Sequence, residues 1–429
     1  VAPNESANST AATPDATRAG LTGLLARHEA WRANCLNLIA SENVLSPAVH
    51  AALNSDLVHR YADYTGRDLG ARRYRGTRYV VEIEREVERL ARQVFRAEYV
   101  ELRAVAGHLA GAGVLMALCQ PGDVVLEIGR DGGGHREAGK FGASNLAHLE
   151  VRHLPIDADR YNVDPIASAA LIAEVKPRVV ILGSSNFVFP HPVREIRAAV
   201  DGVPGCHLVY DASHVMGLMA GGRFQDPLGE GADVVFGSTH KTFFGPQGGI
   251  IFTNRKDLID RISDVVYPGL VTNHHPFRMP ALGIALAEML EFGPAYADQV
   301  VANSQALGEA LVAESIPVVT DGGTPPRYSA SHTLMLRVAD FGTADAVALQ
   351  LEAAGIITTG GLLPDSLGGQ GIRVGTQEMT RRGLRQADMA RVSRFIAEAL
   401  RNERPRADIA GDVAGFVGDL GPLRFTWTS

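Results

Sequence analysis

Lys241 lies between His240 and Thr242, directly after the apolar run Asp233-Val-Val-Phe236, a poor place for a solvated surface lysine. The stretch Asp233-Val-Val-Phe-Gly-Ser-Thr-His-Lys-Thr-Phe-Phe-Gly-Pro-Gln-Gly-Gly249 reads as a buried strand, a polar turn presenting Lys241, and a glycine-rich stop. A desolvated amine has a lowered pKa and can attack a carbonyl, which is Schiff-base chemistry. Upstream, Leu208-Val-Tyr-Asp-Ala-Ser-His-Val215 places Asp211 at a strand end with His214 three residues on. A carboxylate at one strand end and a lysine at the end of a later strand are what pyridoxal 5'-phosphate needs. The acid keeps the pyridinium nitrogen protonated, and the lysine holds the aldehyde. Singly, each has a plainer explanation, a rim lysine or a turn-capping aspartate; together they favour the cofactor.

Other residues extend this reading. Gly107-His-Leu-Ala-Gly111 opens a helix, where backbone amides can face a phosphate, with His108 and Ser238 nearby in role. Asp131-Gly-Gly-Gly-His135 follows a strand, so the His135 imidazole can stack on a flat ring. Arg373, in Gly371-Ile-Arg-Val-Gly375, is a charge in a strand-like setting and needs an anionic partner, either a ligand carboxylate or a structural acid. His214 and His240 flank the cofactor residues. His274-His275 lacks further ligands at metal-site spacing, so no metal is expected.

The elements that must position these residues alternate in type. Strands are expected at Val124–Ile128, Leu149–Pro155, Val179–Gly183, Leu208–Asp211, Val234–Gly237 and Ile250–Thr253, mostly continuous apolar runs. Helices are expected at Arg78–Phe95, Pro165–Val175, Arg194–Val200 and Pro280–Ser315, then strand, helix, helix at Thr333–Val338, Ala344–Ala354 and Gln386–Arg401. The charged face of Val81–Leu90 reads as solvated, as does the stretch beginning at Arg381 and Arg382. This organisation gives a lead-in without structure at 1–17, an N-terminal arm at 18–55, a large domain at 56–295 and a small α+β domain at 296–429.

Across 429 residues, 46% hydrophobic and 21% charged content describe an ordinary globular chain. A net charge of −7 with no basic block argues against nucleic acid, and no run reaches membrane-spanning length. Cys35, Cys119 and Cys206 are scattered beside apolar runs, which suits buried thiols in a reducing cytoplasm. Val1 to Thr17 lacks an apolar core and does not read as a secretory signal.

The motif order resembles the serine hydroxymethyltransferase family, within the pyridoxal-phosphate enzymes of aspartate-aminotransferase fold (type I, α/β). The resemblance rests on Asn37-Leu-Ile-Ala-Ser-Glu-Asn43, Tyr61-Ala-Asp63, Arg72-Arg-Tyr-Arg-Gly76, Asp211-Ala-Ser-His214, Ser238-Thr-His-Lys-Thr242, Gly371–Thr376 and Thr380-Arg-Arg-Gly383. It implies Lys241 as the Schiff-base lysine, Asp211 at the pyridine nitrogen, His135 on the ring, and Ser41 with Arg373 on the substrate carboxylate. It also implies a homodimer or dimer of dimers, in which the loop Tyr61–Arg75 reaches the neighbouring subunit's site, with Tyr61, Tyr74 and Arg75 near substrate. Thr272 and Asn273 stand where the family completes the phosphate site with glycines.

The departures from the family fall on one side. Asp63 replaces a glutamate placed at the reacting hydroxyl, Arg75 replaces a tyrosine, and Thr359-Gly-Gly-Leu-Leu-Pro364 lacks the asparagine and lysine that hydroxymethyltransferases place near the folate pterin. Leu270-Val-Thr-Asn-His274 and Gly375–Gly383 are similar to threonine transaldolases. The expected reaction is cleavage and formation of the Cα–Cβ bond of a β-hydroxy-α-amino acid, with Asp63 or His240 as base. Glycyl transfer from threonine to an aldehyde is favoured over tetrahydrofolate-linked hydroxymethyl transfer, and an α-methylserine-type product stays open. A non-catalytic cofactor-binding protein is the rival from another class; an aminotransferase is a further enzymatic one.

Overall fold

The computed structural model describes residues 13–143 and 148–427. Its centre is a seven-stranded sheet made of β1 (Tyr99–Glu101), β2 (Val124–Ile128), β3 (Glu150–Leu154), β4 (Val179–Leu182), β5 (His207–Asp211), β6 (Val234–Ser238) and β7 (Gly249–Thr253). The spatial order is β1-β7-β6-β5-β4-β2-β3. The pairs from β6 through to β3 are parallel, while β7 runs antiparallel to both β6 and β1. Alternate residues supply two cores: Leu126, Val180, Leu208 and Val235 face one, Val125, Val179, Val209 and Val234 the other. That two-sided burial is why these strands read as apolar runs rather than as alternating patterns. β3 is one of the two edges, and its Glu150, Arg152 and His153 are largely solvated.

A second sheet holds β8 (Thr333–Arg337), β9 (Thr359–Leu362) and β10 (Gln370–Gly375) in the order β8-β10-β9, all antiparallel. Helices Ala344–Glu352, Met389–Arg401 and Arg406–Gly418 cover it, burying Val347, Leu351, Val392, Ile396, Ile409 and Val413 with Leu334, Leu336, Ile372 and Val374. The N-terminal arm joins this core: Leu36 and Asn37 pair in parallel with Ile356 and Ile357.

Several expectations need correction. The helix Pro14–Ala33, N-capped by the Thr13 hydroxyl, begins inside the segment expected to lack structure; residues 1–12 lie outside the described ones. Residue 295 falls within the helix Arg278–Ala313, which feeds Val300 to the large core and Leu307 to the small one. Arg381 is fully buried, 4.0 Å over the Phe244 ring and donating to the Val44 carbonyl, rather than starting a solvated stretch. On the helix Arg78–Phe95, Glu84 is buried and ion-paired with Arg72, because its position shares the face of Val80, Val87 and Leu90.

Candidate active site

The C-terminal ends of the parallel strands collect the chemistry, as expected at the open edge of such a sheet. Asp211 ends β5, Ser238 ends β6, and His135 follows the glycine turn after β2. Lys241 follows three residues after Ser238 and is pinned through its backbone. Asn43 donates to the Lys241 carbonyl at 2.7 Å, Tyr296 donates to the Thr242 carbonyl at 2.9 Å, and the Thr242 hydroxyl donates to the His214 carbonyl at 2.7 Å.

Burial lowers the Lys241 amine to about 8, opposed by the Asp211 carboxylate and reinforced by the Arg373 guanidinium. An amine poised there is available as a nucleophile close to neutral pH. Burial also lowers the neighbouring imidazoles: His240 to about 4, with help from Lys241; His214 well below its ordinary value; His332 to about 3. All three are therefore neutral at physiological pH. His214 and His332 stack with centroids 5.9 Å apart, and His332 lies 3.0 Å from the Ala40 carbonyl.

Arg373 sits in the middle of β10, where burial depresses its guanidinium to about 10. It donates to the Ser185 carbonyl at 2.8 Å, and its Nε is buried without a partner. Among the described residues no carboxylate lies within ion-pair reach of it, so the structural-acid alternative is not realised. Ser41 is brought toward the same strand by the arm. Gly375 N–H donates to the Leu38 carbonyl at 2.7 Å, and Gln377 donates to the carbonyls of Ile39 and Glu42 at 2.7 Å each. The approach is so close that a Cβ on Gly375 would stand 2.5 Å from Ala40 Cα. Ser41, Asn43, His240, Lys241 and Gln247 line one cavity of about 1040 Å³.

Gly107 begins the helix Gly107–Leu118 against Ser238, and a Cβ there would run into the Ser238 hydroxyl. This leaves a bare helix N-terminus, with its free amides, beside a hydroxyl. His108, on the next residue, turns to Glu137 at 2.5 Å. Asp211 accepts from Ser213 N–H at 2.9 Å and lies 4.0 Å from His135. His135, Glu137 and Asp211 are also the one group among the described residues whose spacing could hold a metal ion. Its two carboxylates already have partners: Ser213 N–H donates to Asp211, and Glu137 is hydrogen-bonded to His135 and ion-paired with His108.

These residues fit pyridoxal phosphate. A poised amine, a buried acid, an anion cradle, and unpartnered nitrogens on His214, His240 and Arg373 converge on one region.

The family model described as Serine hydroxymethyltransferase matches residues 18–396. This chain belongs to the serine hydroxymethyltransferase family. Named relatives include the serine hydroxymethyltransferase of Methanopyrus kandleri, 43% identical over 90% of each chain, and that of Pyrococcus horikoshii, 41% identical over 91% of this chain and 92% of the other. Among solved structures, L-threonine transaldolase from Pseudomonas fluorescens, in its internal aldimine state, is similar with a TM-score of 0.88 and 29% identity, covering 95% and 93% of the two chains. The fold is the type I pyridoxal-phosphate architecture, and the protein is a pyridoxal-phosphate-dependent enzyme of this family.

Not every residue singled out in the sequence comes to Lys241. Tyr61 and Tyr74 are exposed and lean on each other, centroids 5.3 Å apart, while Arg75 donates to the Arg72 carbonyl at 3.2 Å. Asp63 is buried, 3.7 Å from His274, whose other nitrogen lies 2.5 Å from Glu84. Thr272 and Asn273 precede that histidine, and Asn273 accepts from His275 N–H at 3.1 Å. None of these six lines the Lys241 cavity. Sequence reasoning missed Tyr296, His332, Glu137 and Lys140. Tyr296, in Pro294-Ala-Tyr-Ala-Asp298, and His332, in Ser329-Ala-Ser-His-Thr333, sit in stretches that carry no motif. Asn43 was visible only as the last residue of a family signature, with no role attached.

Proposed function

We propose that this enzyme breaks and makes the Cα–Cβ bond of β-hydroxy-α-amino acids, passing a glycyl unit from threonine to an aldehyde. The observation that carries the reading is Arg373, a buried guanidinium without an acid partner. Such a group binds a carboxylate through parallel hydrogen bonds. Arg373 and Ser41 orient the substrate carboxylate. Bound, the cofactor supplies the electron sink for the charge left at Cα. Lys241 is the amine that holds it and exchanges a proton near neutral pH. His240, neutral at physiological pH, takes the proton of the β-hydroxyl at Nδ1. β9 pairs Thr359 with Arg373 and carries Gly360 and Gly361 beyond it, leaving little side chain there to grip a pterin.

The functional unit in this proposal is a homodimer with shared sites. Supporting it, the helix Pro14–Ala33 buries none of its residues and exposes Leu21, Leu24, Leu25 and Trp31, and the exposed Tyr61–Tyr74 pair lies outside the cavity that Lys241 lines. Buried free thiols at Cys35, Cys119 and Cys206 suit a cytoplasmic protein, and no helix among the described residues is long and apolar enough to cross a membrane.

A second reading, serine hydroxymethyl transfer to a folate-like pterin, is favoured by the archaeal relatives above 40% identity. One assay separates them. With threonine, the loaded enzyme should release acetaldehyde and convert an added aldehyde into a new β-hydroxy amino acid, with or without tetrahydrofolate. Saturable acceleration by tetrahydrofolate with serine, and no aldehyde capture with threonine, would return the enzyme to hydroxymethyl transfer.

A further inference from the structure

We propose that Glu137 is a positioning residue, one carboxylate holding two imidazoles, His135 beside Asp211 and His108 at the first turn of the phosphate-facing helix. One Glu137 oxygen lies 2.5 Å from His108 Nδ1 and the other 2.9 Å from His135 Nδ1. The Glu137 side chain is only 2% exposed, so the carboxylate has little water to fall back on, and its contacts, an ion pair with His108 and a hydrogen bond with His135, are charge-assisted. A carboxylate accepts only, so His135 Nδ1 donates. The Nε2 of His135 lies 2.6 Å from the Lys140 amine and accepts from it, which fixes His135 as the neutral Nδ1–H tautomer.

The platform beneath Glu137 is itself built. Glu127, at the end of β2, accepts the N–H groups of Ala138 at 2.9 Å and Gly139 at 3.0 Å, holding the chain that carries Glu137. Gly111, one turn along the helix from His108, has room for no Cβ, because it would meet the Glu137 side chain. Burial alone would push the Glu137 carboxyl up, yet the hydrogen bonds from His108 and His135 hold it below the ordinary carboxylate range. Reciprocally, the hydrogen bond to Glu137 outweighs burial and raises His108.

The consequence for the cofactor follows from charge. The helix beginning at Gly107 offers amides but no hydroxyl in its first turn, since Ala106, Gly107 and His108 occupy it. A protonated His108 restores a donor and adds a positive charge beside a dianionic phosphate group. The groups facing His108 are Glu137 and Lys140 on the next helix, His135 before it, Asp211 at the end of β5, and the stacked Phe141 ring at 5.3 Å. Lys140 and Asp211 act on His108 with opposite sign, and Glu137 supplies the largest share of the rise. This role is independent of which acceptor the enzyme uses.

Fluorescence titration of cofactor-free enzyme with pyridoxal 5'-phosphate, between about pH 6 and about pH 9, tests it, with inorganic phosphate as competitor. Wild-type affinity should persist above the ordinary imidazole value and fall as His108 loses its proton. Glu137→Gln should move that fall down toward about 6.5 and weaken binding at pH 8 by about tenfold. His108→Asn should remove that fall and leave only the dependence set by Lys241, which every variant shares, and adding Glu137→Gln to it should bring no further change. The absorption maximum of bound cofactor should move in Glu137→Gln and not in His108→Asn, because only the first releases His135. An unchanged pH profile in Glu137→Gln overturns the proposal. If that variant does not fold, a wild-type profile in His108→Asn overturns it equally.

Discussion

Two regions handle charge in opposite ways. Around Lys241, at the strand ends, burial acts on groups left without opposite partners: His214, His240 and Arg373 each keep a buried nitrogen unpaired, and Lys241 is lowered to about 8. Around His274, by contrast, buried cations have acids beside them, even though Asp63 Oδ1 and His274 Nδ1, 3.7 Å apart, make no hydrogen bond to each other. Arg72 binds Glu84, Glu84 binds His274, His274 faces Asp63, and Arg103 holds Glu101 at 2.6 Å. The first region is prepared to receive a charged ligand, since leaving polar groups unsatisfied is costly unless something completes them. The second is closed to ligands and stiffens a loop whose tip, Tyr61 to Arg75, is aimed outward. Incomplete charge marks the site; completed charge marks the support that presents residues elsewhere.

The comparison breaks first at Lys241. Lys241→Ala should abolish turnover, by more than about a thousandfold, and borohydride reduction of the wild type should place the pyridoxyl label on Lys241. Label on Lys140 or Lys256 instead would show that the site has been misassigned.

Arg373→Lys should lower kcat/KM by about a hundredfold, roughly 2.7 kcal/mol, because a point charge does not reproduce a bidentate fork. Cofactor loading should be unchanged. Equal loss of cofactor binding would mean that Arg373 supports the fold rather than the substrate.

In the matched region the expected loss is stability. Glu84→Gln leaves Arg72 as an uncompensated buried cation and removes one of the two acids that keep His274 protonated, at about 3 kcal/mol. Burial alone would lower His274, but the Asp63 and Glu84 carboxylates beside it raise it above the ordinary value. A raised imidazole contributes stability that is fully present below about 6.5 and lost as pH rises through the folded value. Denaturant midpoints should therefore fall from near neutral pH upward in the wild type and flatten in Glu84→Gln. A parallel pair of curves would remove His274 from the account.

The smallest effect sharpens the assembly. Tyr61→Phe alone should lower the rate per Lys241 by about 3-fold, and mixing it with inactive Lys241→Ala should raise that rate per intact Lys241 back toward wild type through hybrid dimers. No recovery after confirmed subunit exchange would confine each site to one chain.

The strands were legible because burial on both faces writes continuous apolar runs, and β2, β4, β5, β6 and β7 lie within a residue of their expected ends. β9 was not legible: Thr359-Gly-Gly-Leu has neither β-branched enrichment nor alternation, and its pairing with β10 decides it. Arg381 misled because a charged side chain in a polar stretch looks solvated until an aromatic ring and two carbonyls are brought to it from distant segments.

By itself the sequence determined the order of chemical groups along the chain: an acid before a lysine, each at the end of an apolar strand, and an arginine in a later one. That order is local information, because strand ends and turn residues are set by neighbours within a few positions. Tertiary structure alone decided which groups are left without partners. Asp63 and Arg373 are both isolated charges in sequence, yet one is drawn toward His274 and the other is buried in β10 with no acid beside it. Partner and burial depend on contacts between residues far apart in the chain. The same tertiary contacts place Glu137 against two histidines, one just ahead of it and one on the preceding helix.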